Sequence, residues 1–152
     1  HHEVECVVNI GVNGEPVAIA VGLDLTDRPA QSDLRAEQLP WAKGKCFRSS
    51  AVVGQWHQWS STWESLNLEE TGLRLELTVN GELRQSAFLS EMSVPIHHQI
   101  ASLTEWAPVQ EHDYLFTGTP SGVAQLVSGD ALIARLIGPQ DAVLSEIKMR
   151  CE

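Results

Sequence analysis

A strict alternation of apolar and polar residues, closed by a tight-turn dipeptide, dominates the middle of the chain. Residues 73–79 (LRLELTV) place an apolar side chain at every second position, which is the period of a strand with one buried face. Asn80-Gly81 follows at once and leads into residues 82–88 (ELRQSAF). Because Asn-Gly accepts the positive φ angles of a type I′ turn, the segment predicts a β-hairpin.

Further β-branched and apolar runs predict that strands outnumber helices. The predicted strands cover residues 4–10, 17–25, 114–117, 131–137 and 143–149, with turn residues at 11–14. Regular strand–helix–strand alternation is absent. The expected fold class is therefore mainly β (α+β), with antiparallel or mixed sheets that are rolled or sandwiched, and few short helices.

Helical patterns are confined to two segments. Apolar residues recur at helical spacing over residues 93–106, and Ser93 is the expected N-cap. Residues 26–39 are polar and compatible with a helix that carries Pro29 near its start. Residues 48–70 show no clear period, which predicts a long loop with short pieces of structure.

The composition predicts one domain and argues against nucleic acid and membranes as partners. The chain has 152 residues, 43% of them hydrophobic, which is enough to bury a core without disulfides. Acids outnumber bases 20 to 10, and the formal charge of -10 argues against nucleic acid or anionic lipid as a partner. No apolar run reaches about 18 residues, so we expect no membrane span. Three cysteines without a CxxC pair, and no leader at the start, predict reduced thiols in a cytoplasmic protein.

Three acidic residues have positions that suit a metal site. Glu3 and Glu5 are two apart on a predicted strand, so both carboxylates project from the same face. Asp24 ends the next strand-like run and is placed to join them. Three carboxylates without Cys or paired His ligands favour a hard divalent ion, Mg²⁺ or Mn²⁺. The alternative is that Glu3 and Glu5 decorate a solvated strand face.

Two further segments are candidates for chemistry. Lys45 lies in a mainly apolar or small stretch, where a buried Lys would pair with carboxylates or stabilise an oxyanion. A surface Lys is the alternative. Residues 117–122 (TGTPSG) offer hydroxyl and backbone N–H groups to an oxygen ligand, although an ordinary turn has the same composition. The spacing of Trp56, Trp59 and Trp63 is typical of core or interface packing rather than of base stacking.

Five segments, spread over almost the whole chain, together match the pattern of one protein family. They are residues 2–5 (HEVE), 23–31 (LDLTDRPAQ), 40–47 (PWAKGKCF), 79–85 (VNGELRQ) and 117–123 (TGTPSGV). In this order they resemble the fumarylacetoacetate hydrolase family, most of all its short bacterial acylpyruvase or fumarylpyruvate hydrolase-like members. The resemblance implies a single catalytic domain over residues 1–152, the family's mainly β roll, and a homodimer.

The resemblance also implies a cofactor, Mg²⁺ or Mn²⁺, and roles for individual residues. The implied roles are metal binding for Glu3, Glu5 and Asp24, catalysis for Lys45 and Gln31, and substrate contact for Arg28 and Thr119. Lys45 and Gln31 would stabilise a developing enolate and orient a water. Arg28 and Thr119 would contact oxygens of a small dicarboxylate or acylpyruvate substrate.

The implied reaction is hydrolysis of a C–C bond in a 1,3-dicarbonyl acid, of the acylpyruvate or fumarylpyruvate type met in aromatic-compound catabolism. The metal would act as a Lewis acid, and the carbon leaving group would depart as an enolate bound to it. The same site chemistry suits isomerisation of a hydroxy-dienedioate or decarboxylation of a β-keto acid. A non-catalytic module for metal binding or dimerisation is the remaining alternative.

The sequence departs from the family pattern at positions that bear on activity. Members carry some tens of residues before this point, including a lid whose His and Glu activate water. The resemblance therefore implies a domain truncated at its N-terminus, without its general base. Pro29 stands where an acid is usual, Ala87 and Leu89 where small and Thr residues are usual, and Ala124 where Gly is usual. These changes bear on specificity and activity, whereas the metal triad is intact.

Overall fold

Two antiparallel sheets, packed face to face, form the body of the protein in the computed structural model, which describes residues 1–152. The strands are β1 (Val4–Ile10), β2 (Pro16–Asp24), β3 (Ala51–Val53), β4 (His57–Gln58), β5 (Arg74–Val79), β6 (Glu82–Phe88), β7 (Tyr114–Phe116), β8 (Ala131–Ile137) and β9 (Val143–Arg150). One sheet has the order β3-β2-β1-β7, with β4 also paired to β2, and the other has the order β6-β5-β8-β9. All pairings are antiparallel, so the antiparallel option holds.

The helices are short and connect the strands. The α-helices are α1 (Arg28–Ala36), α2 (Ala42–Lys45) and α3 (Ile96–Thr104), and 3₁₀ turns cover Glu64–Asn67, Glu69–Thr71, Leu89–Glu91 and Pro139–Asp141. None of these helices combines the length and the apolar content that a membrane crossing requires. The predicted mainly β fold with few short helices is confirmed.

The predicted hairpin forms β5 and β6. Asn80 and Gly81 have φ angles of 53° and 82°, the two positive values that a type I′ turn needs. A β-bulge lies in β6, because Leu77 pairs with Gln85 whereas Thr78 pairs with Leu83, which leaves Arg84 as the extra residue. The bulge breaks the alternation of β6, so that Leu83 is exposed while Gln85 is buried.

Strand β1 has one face in the hydrophobic core and carries the candidate acidic residues on its other face. Val4, Cys6 and Val8 point into the core cluster between the two sheets. The period of two turns Glu3 and Glu5 to the opposite face, as the sequence predicts. The backbone N–H of Asp24 donates to the Glu3 carbonyl at 2.9 Å, which extends the β1–β2 ladder as far as Asp24.

The two predicted helices form, with one correction at α3. Helix α1 begins after Asp27, whose side chain accepts from the Ala30 N–H at 3.1 Å, and Pro29 lies in its first turn without disruption. The prediction of Ser93 as the N-cap of α3 was wrong. The Ile96 N–H instead donates to Asn67 Oδ1 at 2.7 Å, a partner 29 residues earlier.

The segment over residues 48–70 contains β3, β4 and a 3₁₀ turn, in agreement with the prediction of a loop with short structured pieces. Its tryptophans serve packing. Trp63 is 8% exposed, and its indole N–H donates to the Gly14 carbonyl at 2.9 Å. The Trp56 ring lies 4.9 Å from that of Tyr114. The packing interpretation of the tryptophans is therefore confirmed for these two.

Leu77 and Leu83 offer a direct test of the bulged hairpin. Leu77→Ala should lower the free energy of unfolding by about 2–5 kcal/mol, because Leu77 is fully buried in the core cluster. Leu83→Ala, at a side chain that is 60% exposed, should change it by less than about 0.5 kcal/mol. Equal losses for the two variants in urea titrations would contradict this arrangement of β6.

Candidate metal centre

Three carboxylates converge where β1 and β2 run side by side. Glu3 and Glu5 come from one face of the β1 segment, and Asp24 ends β2 directly across from Glu3. Oxygen atoms of the three side chains all lie within 4.8 Å of one another. Glu3 and Glu5 are 8% and 4% exposed, so the alternative of a solvated strand face does not describe them.

Lys45, at the end of α2, bridges two of these carboxylates. Its Nζ donates to Asp24 Oδ2 at 2.5 Å, to Glu3 Oε2 at 2.7 Å and to Thr26 Oγ1 at 2.9 Å. An ammonium group has three N–H donors, so all of them are used by protein oxygens. Lys45 is thus an internal counter-ion of the carboxylates, which excludes the alternative of an isolated surface Lys.

Arg28 and Gln31 extend the polar cluster from the first turn of α1. The Arg28 guanidinium donates to Glu3 Oε1 at 2.6 Å through Nη2 and to Gln31 Oε1 at 2.7 Å through Nη1. The Asp27 cap fixes the start of this helix and thereby the position of Arg28. The Gln31 amide nitrogen donates to no protein group, so it is available to a ligand.

Lys45 and Arg28 pair with Glu3 and Asp24 but leave the Glu5 carboxylate without a cationic partner. Burial alone would raise the pKa of Glu3, but hydrogen bonds and charge from Lys45 hold that pKa below its ordinary value. Burial raises the pKa of Glu5 to about 7, because its one hydrogen bond, from the Gly118 N–H at 2.7 Å, offsets the lost hydration only in part. No Lys or Arg side chain pairs with Glu5.

The ion pair that lowers the pKa of Glu3 also raises the pKa of Lys45. Burial alone would lower its pKa, but the hydrogen bonds to Asp24 and Glu3 raise that pKa above the ordinary value of lysine. The ammonium is therefore charged at neutral pH and helps to hold Glu3 ionised.

The loop after β7 brings Thr119 near the cluster without joining it. Gly118, with a φ of 94° that favours glycine, directs its N–H at Glu5. Thr119 makes no hydrogen bond to the other predicted site residues. Its Oγ1 lies 2.8 Å from Gln85 Nε2, and the residue lines a cavity of about 680 Å³ together with apolar side chains such as Leu89 and Met92.

Sequence reasoning missed two side chains that the structure places in or beside the site, whereas the backbone N–H donors predicted for residues 117–122 include that of Gly118, which bonds Glu5. Thr26 is buried and bonded to Lys45, and its position two residues after Asp24 was the available signal. Gln85 is 1% exposed, and the bulge that buries it has no signature in the alternation of β6.

The arrangement can hold a divalent cation. Three hard oxygen donors converge, Glu5 lacks a cationic partner, and no Cys or His contributes a softer ligand. Such a donor set suits Mg²⁺ or Mn²⁺.

Comparison with known proteins identifies the family of the chain. Residues 1–151 match the family described as fumarylacetoacetate (FAA) hydrolase C-terminal. The mitochondrial oxaloacetate tautomerase FAHD1 of Mus musculus is 33% identical over 148 residues, which cover 91% of this chain and 65% of that protein. The fumarylpyruvate hydrolase of a Ralstonia species is 31% identical over 148 residues, which cover 91% and 74%.

A solved structure shares the fold. The fumarylpyruvate hydrolase from Pseudomonas aeruginosa, crystallised with Mn²⁺ and pyruvate, has a TM-score of 0.80 and 24% identity, and the match covers 99% of this chain and 66% of that one. The chain thus spans about two thirds of the length of several of these relatives. With a family match over nearly every residue and five segments in the family's order, the chain belongs to the fumarylacetoacetate hydrolase family.

Proposed function

We propose that this chain forms the metal-dependent centre of an enzyme that hydrolyses a C–C bond in acylpyruvates or fumarylpyruvate-like acids. The observation that carries the proposal is the convergence of Glu3, Glu5 and Asp24, with Glu5 buried and unpaired by any cation. Burying an ionised carboxylate is costly unless a cation compensates it, so the cluster calls for one.

Glu3, Glu5 and Asp24 would hold Mg²⁺ or Mn²⁺. A divalent ion there supplies Lewis-acid charge to a substrate carbonyl oxygen. The relative from Pseudomonas aeruginosa, which was crystallised with Mn²⁺ and pyruvate, supports a site of this kind for a keto acid.

The chain's own side chains surround this position with complementary groups. Lys45 contributes positive charge rather than a bond to substrate, because its three donors are taken by Glu3, Asp24 and Thr26. Arg28 uses two of the five donors of its guanidinium and keeps others for a substrate carboxylate. Gln31 Nε2 is free to orient a water or a carbonyl oxygen. These groups favour a substrate that develops negative charge on oxygen as the C–C bond breaks.

Keto–enol isomerisation of oxaloacetate is the second candidate. Relatives from mouse and Escherichia coli, 33% and 32% identical, are oxaloacetate tautomerases. The reaction needs the same stabilisation of an enolate oxygen but no attacking water, so the polar cluster serves it equally well. The homodimer and the cytoplasmic location remain predictions.

A substrate panel separates the two candidates. Acetylpyruvate, fumarylpyruvate and enol-oxaloacetate would be incubated with the whole protein and with Mg²⁺ or Mn²⁺, and the products identified by mass spectrometry. We expect acetylpyruvate to give pyruvate and acetate. Loss of the enol absorbance of oxaloacetate without cleavage of any acylpyruvate would reject hydrolysis and favour the tautomerase. Absence of any metal-dependent turnover would reject both.

Lys45→Met should lower kcat by roughly 100-fold or more, because the substitution removes a fixed positive charge beside the reacting oxygen. Mn²⁺ affinity should be retained or increased, since the ammonium no longer competes for Glu3 and Asp24. Lys43→Met, at an exposed position of the same helix, is the matched control and should leave both quantities unchanged. A parallel loss of Mn²⁺ binding and kcat in Lys45→Met would show that Lys45 acts only by holding the ligands.

A further inference from the structure

Gln85 is a buried amide whose two ends bond to different parts of the fold. Its Oε1 lies 2.9 Å from His2 Nδ1 and 3.2 Å from the backbone N of Val4. Its Nε2 lies 2.8 Å from Thr119 Oγ1 and 2.8 Å from the Pro120 carbonyl oxygen. The side chain therefore connects the start of β1 to the loop that also supplies the Gly118 N–H to Glu5.

The backbone partners determine which way this amide points. A backbone N–H can only donate and a carbonyl oxygen can only accept. The amide oxygen must therefore face Val4 and the amide nitrogen must face Pro120. It follows that His2 Nδ1 donates to Gln85 and that Thr119 Oγ1 accepts from it.

This direction has a consequence for the Thr119 hydroxyl. Its oxygen is engaged by Gln85, while its own proton is bound to no protein acceptor. Thr119 also lines the cavity of about 680 Å³, so the proton is available to whatever occupies that space. A hydroxyl held in this way is a hydrogen-bond donor whose polarity is set in advance.

We propose that Gln85 is a positioning residue that keeps Thr119 as a hydrogen-bond donor to a carboxylate or carbonyl oxygen of the keto acid, with His2 holding the Gln85 amide from behind. The identity of this ligand rests on the proposed function. The direction of the hydrogen bonds rests only on Val4 and Pro120.

Gln85→Glu is the sharpest test, because it keeps the shape and replaces the amide donor with an acceptor. Thr119 would then have to donate its proton to the new carboxylate. Calorimetric titration of pyruvate into the Mn²⁺-loaded protein should show an affinity roughly 10-fold to 100-fold below wild type, the cost of one lost hydrogen bond to a charged group. Mn²⁺ affinity should stay within about twofold. Gln58→Glu, at an exposed position, adds the same charge and should leave pyruvate binding unchanged.

A double-mutant cycle tests whether Gln85 affects pyruvate affinity through the Thr119 hydroxyl. Thr119→Val should weaken pyruvate binding by a similar factor, and adding Gln85→Glu to it should weaken binding little further, since the hydroxyl is already absent. Thr119→Ser should restore most of the affinity. If Gln85→Glu fails to fold, Gln85→Met keeps the volume without fixing the hydroxyl and should cost several-fold in affinity.

The outcomes separate this inference from the proposed function. Wild-type affinity for pyruvate in the Gln85 variants, or losses that simply multiply with that of Thr119→Val, would overturn the inference. Weakened pyruvate binding in a protein that turns over none of the keto acids would sustain the inference and reject the proposed function. Failure of the Mn²⁺-loaded wild-type protein to bind pyruvate would overturn the inference, whereas the proposed function is decided by turnover in the substrate panel.

Discussion

Asp24→Asn should weaken Mn²⁺ binding by on the order of a thousandfold and reduce turnover to near background at moderate metal concentrations. The substitution keeps the size of the side chain and removes its charge. At an effective dielectric constant of about 20, two unit charges about 4 Å apart attract each other by about 4 kcal/mol, and a divalent ion doubles this. Since Asp24 also gives up its ion pair with Lys45, the net loss should be roughly half of the doubled value, which corresponds to on the order of a thousandfold in affinity. Isothermal titration with Mn²⁺ measures the affinity directly.

The matched control for this prediction is Asp33→Asn, which makes the same chemical change at an exposed position of α1. It should leave Mn²⁺ affinity within about twofold of wild type, because exposed charges at a distance are screened. Normal metal binding or turnover by Asp24→Asn would reject the carboxylate cluster as the metal site.

Glu5→Gln should have opposite effects on the metal-free and metal-bound protein at pH 8. The pKa of Glu5 is raised by burial from 4.5 to about 7 in the folded protein. Between these values the folded state binds more protons than the unfolded chain, so this group lowers stability as the pH rises through that range. Above pH 7 the penalty is complete, and Glu5→Gln should remove about 3 kcal/mol of it.

The same substitution should abolish the stabilisation that Mn²⁺ confers, because a ligand charge is lost. Thermal unfolding at pH 4 and pH 8, with and without Mn²⁺, measures both effects. Near pH 4 the metal-free variant and wild type should have similar stability, since the Glu5 carboxyl is protonated in both states. Glu70→Gln, at an exposed carboxylate, is the control and should show no such dependence on pH. A metal-free Glu5→Gln protein that is less stable than wild type at pH 8 would contradict the burial argument.

The parts of the fold that local chemistry dictates were predictable from the sequence. The alternation over residues 73–79 and the Asn80-Gly81 turn specify a hairpin with little help from the remainder of the chain. Glu3 and Glu5 share a face because a strand has a period of two, whatever the sheet around it. These predictions hold because the responsible interactions connect residues that are close in sequence.

One wrong prediction and one missed residue both depend on partners far along the chain. Ser93 has the composition of an N-cap, but Asn67 supplies the hydrogen bond to Ile96. Gln85 is buried because a bulge displaces Arg84, and its four partners lie 34 or more residues away. Neither tertiary contact leaves a periodic signal.

In the candidate site, too, the features that depend on local sequence were predictable and those that depend on distant contacts were not. The acidic residues could be selected by residue type and strand position, and their convergence follows from the antiparallel pairing of β1 with β2. The sequence indicated that a buried Lys45 would pair with carboxylates or stabilise an oxyanion, but not which oxygens it would reach, because these contacts require the turn of α2 to bring the residue back over the ends of both strands. Since protein oxygens use all of its N–H donors, Lys45 would stabilise an enolate as a fixed charge rather than through a hydrogen bond.

The ammonium of Lys45 also affects how such a protein matures. Because it already draws Glu3 and Asp24 together, the two chain segments reach their final places during folding and need not wait for an ion to collect them. The folded chain therefore does not need an ion to bring the ends of β1 and β2 together, unlike zinc fingers, where the ion creates the folded state. A divalent ion at the proposed site would meet two carboxylates that Lys45 already holds in place.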